Sequence, residues 1–432
     1  MIPTLDPELA KTVIDPRSYA DDVALHRALA RIRRESPVAR LVSTHIDPFW
    51  LVTKHADILE ISRNNRLFHN GDRPVTLTAR TIEATVRQQT GGSPHLIRTL
   101  VQMDEPDHMK FRALTQGWFM PANVRKREEA IRKIARSFVD RMADNAPGGT
   151  GECDFVRDVA LHYPLRVIME ILGVPEADEG RLLKLTQELF GARDPDLNRD
   201  GKVIGADDSE AALKSIQAVF KDFFTYFDAI TQDRRKAPKD DVSTVIANGQ
   251  INGAPIAAFE AMSYYVIIAT AGHDTTSAST AGAIWALCEN PGELSKVKAD
   301  PALIPGLVDE SIRWVTPVKH FMRTATADTE VRGIKIAKGD WLMLSYPSGN
   351  RDEDVFDDPF AFRVDRSPNK HLAFGYGAHL CLGQHLAKLE TSILWEELLP
   401  RLKSVELAGE PSRTVANFVG GPKRLPIRYR MA

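Results

Sequence analysis

Between Pro255 and the pair Asn290-Pro291 runs a stretch with small or apolar residues on nearly every helical face. Pro255 is suited to the first position of a helix, and Asn290-Pro291 supplies a stop. About 35 residues of helix, at about 1.5 Å each, would span roughly 50 Å and cross a whole molecule of this size. A helix with no polar face has to be buried. The rest of the chain must therefore fold around it.

No stretch rich in Pro, Gly or Ser divides the 432 residues, and no internal repeat is present. One domain spanning residues 1–432 is expected, with a small β-rich N-terminal portion and a helical remainder. Strand-like runs at Phe49–Val52 and Trp341–Ser345 sit among helical patterns at Leu25–Arg34, His55–Arg63, Leu182–Phe190, Ala211–Phe227 and Leu382–Leu399. A coil is expected from about Asn350 to Lys370. The polar loop Arg193–Asp208 has the length of a lid. The fold class is mainly α with minor β.

Lys and Arg total 56 against 58 Asp and Glu, a net charge of −2, so neither nucleic acid nor an anionic membrane is called for. The first residues are broken by charge and proline, with no signal-peptide core or membrane anchor. Three cysteines, Cys153, Cys288 and Cys381, give no disulfide framework. A cytoplasmic monomer is expected, with Cys153 and Cys288 as buried small hydrophobes.

The chemistry concentrates in Phe374-Gly375-Tyr376-Gly377-Ala378-His379-Leu380-Cys381-Leu382-Gly383. Three glycines in this run let the backbone pass close to something flat and bulky. Cys381 stands at the mouth of the following helix, where free N–H groups and the helix dipole favour a thiolate. That is what an axial ligand to haem iron requires. A structural thiol is the bland alternative. Zinc is another, since His379 and His385 flank the cysteine, but no second close-spaced ligand pair completes a four-ligand site.

The segment resembles the haem-binding signature of the cytochromes P450, Phe-x-x-Gly-x-His/Arg-x-Cys-x-Gly, and matches it at every fixed position, Phe374, Gly377, His379, Cys381 and Gly383; by the same resemblance Gly375 would also lie against the haem. Further P450 motifs follow in family order. The resemblance implies the P450 fold, with haem b held between the long central helix and the helix after the cysteine, and with Cys381 on the iron. Glu310 and Arg313 form the family's Glu-x-x-Arg, and Arg366 matches its third partner; these three would lock the coil before the cysteine. His108 and Arg112, with Arg323 and His379, would bind the haem propionates, which need charged or N–H partners when buried.

Ala271-Gly272-His273-Asp274-Thr275-Thr276 lies inside the long helix. A threonine hydroxyl can bond back to the carbonyl four residues earlier, here that of Ala271, and open the helix locally. Gly272 would leave room beside the opening for dioxygen. By resemblance Asp274 and Thr275 are the acid–alcohol pair that moves protons. His273 reads as a packed or hydrogen-bonded histidine, not a ligand.

By analogy with the fold, the substrate pocket draws on Leu96, Ile97 and Leu100, then on Ile268, Ala269, Gly272 and Thr275. Val318, Phe321 and Phe418 complete it. Few polar groups suit a small apolar substrate: a cyclic monoterpenoid such as terpineol, or an alkyl- or aryl-benzene such as cymene or biphenyl. Fatty acids and steroids are the alternative, with Arg98 as a possible carboxylate anchor. Scaffold stretches, among them Ala269–Thr276, Cys381–Glu390 and Ala416–Lys423, most resemble the terpineol-hydroxylating bacterial members of the family. The resemblance implies monooxygenation with dioxygen and two electrons from an iron–sulfur ferredoxin and its reductase, with Arg112 as a docking contact. A peroxide-driven enzyme would typically lack the acid–alcohol pair, and a non-catalytic haem sensor or carrier would not need one.

Overall fold

The computed structural model describes residues 3–198, 201 and 209–432. Of the expected lid Arg193–Asp208, residues 199–200 and 202–208 lie outside the described residues.

The central stretch forms two helices, Ala258–Ala271 and Asp274–Glu289, instead of one. Pro255 does not start the first. It ends the two-residue strand Ala254–Pro255, which pairs with Gln250–Ile251. Between them Asn252 (φ 54°) and Gly253 (φ 80°) both take positive φ, the requirement of a two-residue hairpin turn that Asn-Gly satisfies. The helix therefore begins three residues later than Pro255 predicts. The break between the two helices falls at Gly272-His273, with His273 at φ −108°, ψ −64°. Hydroxyls crowd this region: Thr270 donates to the Val266 carbonyl (2.7 Å), Thr275 to Ala271 (2.9 Å) and Ser279 to Thr275 (3.0 Å). Such back-bonding competes with the helical ladder and bends it.

Burial of the two helices is nearly complete, including Ala261–Val266 and Thr276–Ala286 apart from Trp285, as their lack of a polar face requires. Packed against them are His162–Leu172, Ile304–Val315 and Gln384–Leu398, while Glu128–Asp144 packs on the first and last of these. Among the described residues, no helix is long and apolar enough to cross a membrane.

A five-stranded sheet runs in the order Val38–Leu41, Phe49–Val52, Trp341–Ser345, His320–Ala325, Phe68–His69. Phe49–Val52 pairs parallel with Trp341–Ser345, and the other pairs are antiparallel. The register sets Arg323 opposite Leu342. A second sheet joins Leu402–Leu407, Pro426–Met431 and Thr150–Asp154. A separate hairpin, Ser412–Arg413 with Pro422–Arg424, delivers the loop 414–421 to the central helix, where a Cβ on Gly421 would lie 2.5 Å from that of Ala278.

No helix or strand occupies residues 350–376, so their backbone carbonyls and amides need partners from elsewhere. Three charged side chains, all buried, supply them. Arg313 binds Glu310 through two bonds of 2.7 Å and donates to the carbonyls of Asn350, Pro359 and Ala361. Arg366 reaches both Glu310 oxygens (3.1 and 3.2 Å) and donates to the Asp357, Asp358 and Ala361 carbonyls. Glu310 also accepts from the Arg363 amide and from Asn369. Burial alone would raise the Glu310 pKa, but Arg313 and its other donors bring it below the ordinary carboxylate range. Cys153 and Cys288 are half-buried thiols that burial pushes up to about 12, so both are inert at neutral pH.

Candidate active site

From Ala373 to Gln384 the side chains are half-buried or exposed, although they run beside the core of the molecule. The cysteine loop thus faces an open space. Its turn is closed by the Cys381 amide on the Phe374 carbonyl (2.8 Å) and the Leu380 amide on Gly377 (3.1 Å). Gly375 (φ 68°) and Gly377 (φ 73°) take left-handed backbone. A Cβ on Gly377 would sit 2.4 Å from the Ser62 carbonyl, so this glycine is needed for packing on the helix His55–Arg63. A Cβ on Gly383 would meet no protein atom within 4 Å. Burial pushes the Cys381 thiol up, against the N–H groups of Gly383 and Gln384 and the charge of Arg112, which pull it down. The helix-mouth position alone predicts a thiolate; in the polypeptide burial outweighs that influence. Metal coordination deprotonates such a thiol outright.

Basic groups line this space: His108, Arg112, Arg323 and His379. His108 and His379 have ring centroids 4.2 Å apart. Both ring nitrogens of His108 are buried with no hydrogen-bond partner, and burial beside Arg112 lowers its pKa. His379 is pushed far down by burial and by the charges of Arg323, His108 and Arg112. Arg112 donates to the Leu380 carbonyl (2.9 Å), and Arg323 to the Met322 carbonyl (2.8 Å). Among the described residues none of the four makes an ion pair with an acid. Buried cations are ordinarily paired, so this cluster fits an anionic group. The residues present fit haem b, with two propionates beside the basic cluster and a thiol in the open loop.

On the central helices the open side is formed by Ile267, Ala271 and Thr275, spaced by four. Gly272 differs from expectation: a Cβ there would press on Ile168 (2.9 Å), so the missing side chain serves helix packing. Ala269 lies about 200° round the helix from Ala271 and is buried in the core, so the structure removes it from the open side. Ile267 was overlooked; counting back by fours from Thr275 would have found it. Asp274 is largely buried, and its Oδ2 lies 3.4 Å from Nδ1 of His273.

Val318, Phe321 and Phe418 come together as expected. Val318 bridges Val419, and the Phe321 and Phe418 rings meet edge to face at 5.5 Å. Phe190, which no motif marked, extends the cluster at 6.4 Å from Phe418. Ile97, Leu100 and Ile268 are buried in the core cluster that also contains Ala269, not in the one against which Val318 and Phe321 pack, and Leu96 is half-buried. The Arg98 amide donates to Ser263 (3.0 Å), tying this loop to the central helix. Its guanidinium pairs with Asp107 and lies 4.0 Å from Glu260, so its charge is already balanced.

Glu390 was also unmarked. It lies on Gln384–Leu398, is 1% exposed and leaves Oε2 without a partner. Burial drives its carboxyl well above the ordinary range, opposed by the Thr276 hydroxyl. Unfolded, it ionises near about 4.3; folded, it keeps its proton. Ionisation therefore favours the unfolded chain as pH rises above that range. Glu390→Gln is expected to raise the melting temperature of the haem-loaded protein by a few degrees at pH 8 and less at pH 5. Equal melting curves for the two proteins at pH 8 would contradict a neutral Glu390.

A largely helical body, an interrupted central helix and a cysteine loop ringed by unpaired basic groups define a haem-thiolate oxygenase. Comparison with known proteins agrees. The family description "Cytochrome P450" matches residues 302–422. The chain is 50% identical over 429 residues to Cytochrome P450-terp of a Pseudomonas species, covering 99% of both chains. It is 31% identical over 436 residues to the methyl-branched lipid omega-hydroxylase of Mycobacterium bovis, covering 99% of this chain and 96% of that one. The crystal structure of CYP108D1 from Novosphingobium aromaticivorans superposes with a TM-score of 0.90 at 45% identity, covering 100% of both chains. The chain belongs to the cytochrome P450 family. It is a haem b monooxygenase that uses dioxygen and a redox partner.

Proposed function

We propose that this P450 hydroxylates a small apolar molecule, a cyclic monoterpenoid or an alkyl- or aryl-benzene, with electrons from an iron–sulfur ferredoxin. The observation that carries the reading is the edge-to-face pair of Phe321 and Phe418 beside the Val318–Val419 bridge, together with the neutralised Arg98. A fatty acid would need an anchor for its carboxylate, and Arg98 is already committed to Asp107 and Glu260. The name Cytochrome P450-terp, carried by a relative 50% identical, is in keeping with a terpenoid. The lipid hydroxylase, at 31%, is the basis of the second reading.

Cys381 is the iron ligand in this proposal, and His108, Arg112, Arg323 and His379 hold the propionates. Haem with a thiolate ligand supplies reductive cleavage of dioxygen and insertion of one oxygen atom into a C–H bond. The chain excludes bulk water with its apolar wall, and positions the substrate against Ala271 and Thr275. Asp274 takes up protons, and the Thr275 hydroxyl passes them on through water. Its back-bond to Ala271 holds that oxygen at the helix break. Tyr376 and Met109 are exposed near Arg112, with the exposed Arg63 lying over the Tyr376 ring at 4.8 Å; they would add to the ferredoxin contact.

Spin-state titration of the ferric protein with terpineol, cymene, biphenyl, a medium-chain fatty acid and a steroid tests the substrate class. A tight high-spin shift with one of the first three is expected; a shift only with the last two would discard the class. Thr275→Ala is expected to leave that shift intact and to cut product formed per reducing equivalent at least about tenfold, with peroxide appearing instead. Fully coupled turnover would remove the hydroxyl from the proton path.

A further inference from the structure

His273 occupies the break between the central helices and is completely buried. Its two ring nitrogens meet groups that fix its protonation. Nε2 lies 2.8 Å from the Leu161 carbonyl, which can only accept, so Nε2 carries a proton. Nδ1 lies 3.3 Å from the Thr186 hydroxyl oxygen. That hydroxyl has a single proton, and it is donated to the Leu183 carbonyl at 3.0 Å. With its proton on Leu183, Thr186 offers His273 an acceptor, and the Asp274 carboxyl at 3.4 Å offers a second, so the surroundings place a proton on Nδ1 as well. A ring protonated at both nitrogens is an imidazolium.

A fully buried cation needs a counter-charge. The acid in range is Asp274, whose Oδ2 is 3.4 Å from Nδ1 and has no other partner. The remaining acid that acts on the ring, Glu179, is itself bonded to His162 and Arg166. Burial works against protonation of His273, but Asp274 outweighs it and the pKa is raised. On its other side Asp274 borders a cleft of about 70 Å3, shared with Gln187, Thr414 and Lys423, enough for several waters.

We propose that His273 is a positioning residue for proton uptake: a buried imidazolium that pairs with Asp274 and fixes its carboxyl between this cleft and Thr275. The imidazolium keeps both of its own protons, committed to Leu161 and Thr186. A cleft water carrying an extra proton loses it to the Asp274 carboxylate, forming one O–H bond as one breaks. This role rests on Asp274 and Thr275 being the proton path; the charge state of His273 does not.

The charge state is read by nitrogen NMR of histidine-labelled protein in its diamagnetic ferrous carbon-monoxide form. His273 is expected to show two protonated nitrogens at pH 7, and in Asp274→Asn to lose one at lower pH than in the parent. A neutral ring at pH 7 overturns the proposal. The role is read in His273→Gln, which retains a donor for Leu161 but no charge. Its carbon-monoxide spectrum and substrate spin shift should match the parent. Turnover should fall about tenfold or more, with a larger solvent deuterium isotope effect and an altered pH profile. Parental turnover and isotope effect in His273→Gln, with Asp274→Asn impaired, would overturn the role while sparing the relay. Parental turnover in Asp274→Asn would overturn the relay and the role together, leaving only the charge state.

Discussion

Replacing Cys381 with serine is expected to abolish monooxygenation and to change the carbon-monoxide spectrum of the ferrous protein. The argument is local. The loop is closed by the Cys381 amide on Phe374 and held by positive-φ glycines at 375 and 377, none of which needs the sulfur. Serine should therefore preserve the loop and the basic cluster, so that haem still binds. What is lost is the electron-donating thiolate that favours O–O cleavage. Product formation should drop below detection while haem content stays near the parent's. An unchanged carbon-monoxide spectrum would remove Cys381 as the ligand.

The second large effect falls at a distance from the chemistry. Arg313→Ala removes two bonds to Glu310 and three to coil carbonyls, leaving a carboxylate and several carbonyls buried without their partner. Breaking a buried pair of this kind costs about 3–5 kcal/mol, a large fraction of the roughly 5–15 kcal/mol that holds a typical domain folded. We expect little soluble holoprotein, and what is recovered should lose haem and melt well below the parent. The same network carries a pH signature. Glu310 is held below its unfolded value, so its contribution is complete above the ordinary carboxylate range and disappears as pH falls through the folded pKa. Near-parental melting and haem retention in Arg313→Ala would show that the coil 350–376 is held by other contacts.

Features governed by neighbours in sequence were legible; features governed by a change of direction were not. The strands Phe49–Val52 and Trp341–Ser345 and the helix His55–Arg63 stand where their patterns put them. The clamp of Glu310, Arg313 and Arg366 was available because each residue sits in a short motif. The central helix failed at both ends of the argument. Pro255 was taken as a start, although Asn252-Gly253 just before it is a hairpin turn. Continuous helix was then assumed through Gly272-His273, where side-chain hydroxyls compete for backbone carbonyls. Positions on one side of a helix follow from phase, and phase was set by analogy instead of by counting from Thr275; hence Ala269 was included and Ile267 omitted. The pairing of His273 with Thr186 and Leu161 joins three segments far apart in the chain, and no local pattern encodes it.

The parallel pairing of Phe49–Val52 with Trp341–Ser345 has a consequence for biosynthesis. Trp50 donates to Asp340, 290 positions further along the chain. As the polypeptide leaves the ribosome, an early strand waits for most of the translation time with one edge open, and exposed edges invite wrong partners. On the proposed site the cofactor cradle has the same schedule, because its basic groups come from positions 108, 112, 323 and 379. Haem capture would then be a late, nearly post-translational event. Nascent chains released before about residue 381 should neither retain the cofactor nor resist proteases, whatever helices they have already formed.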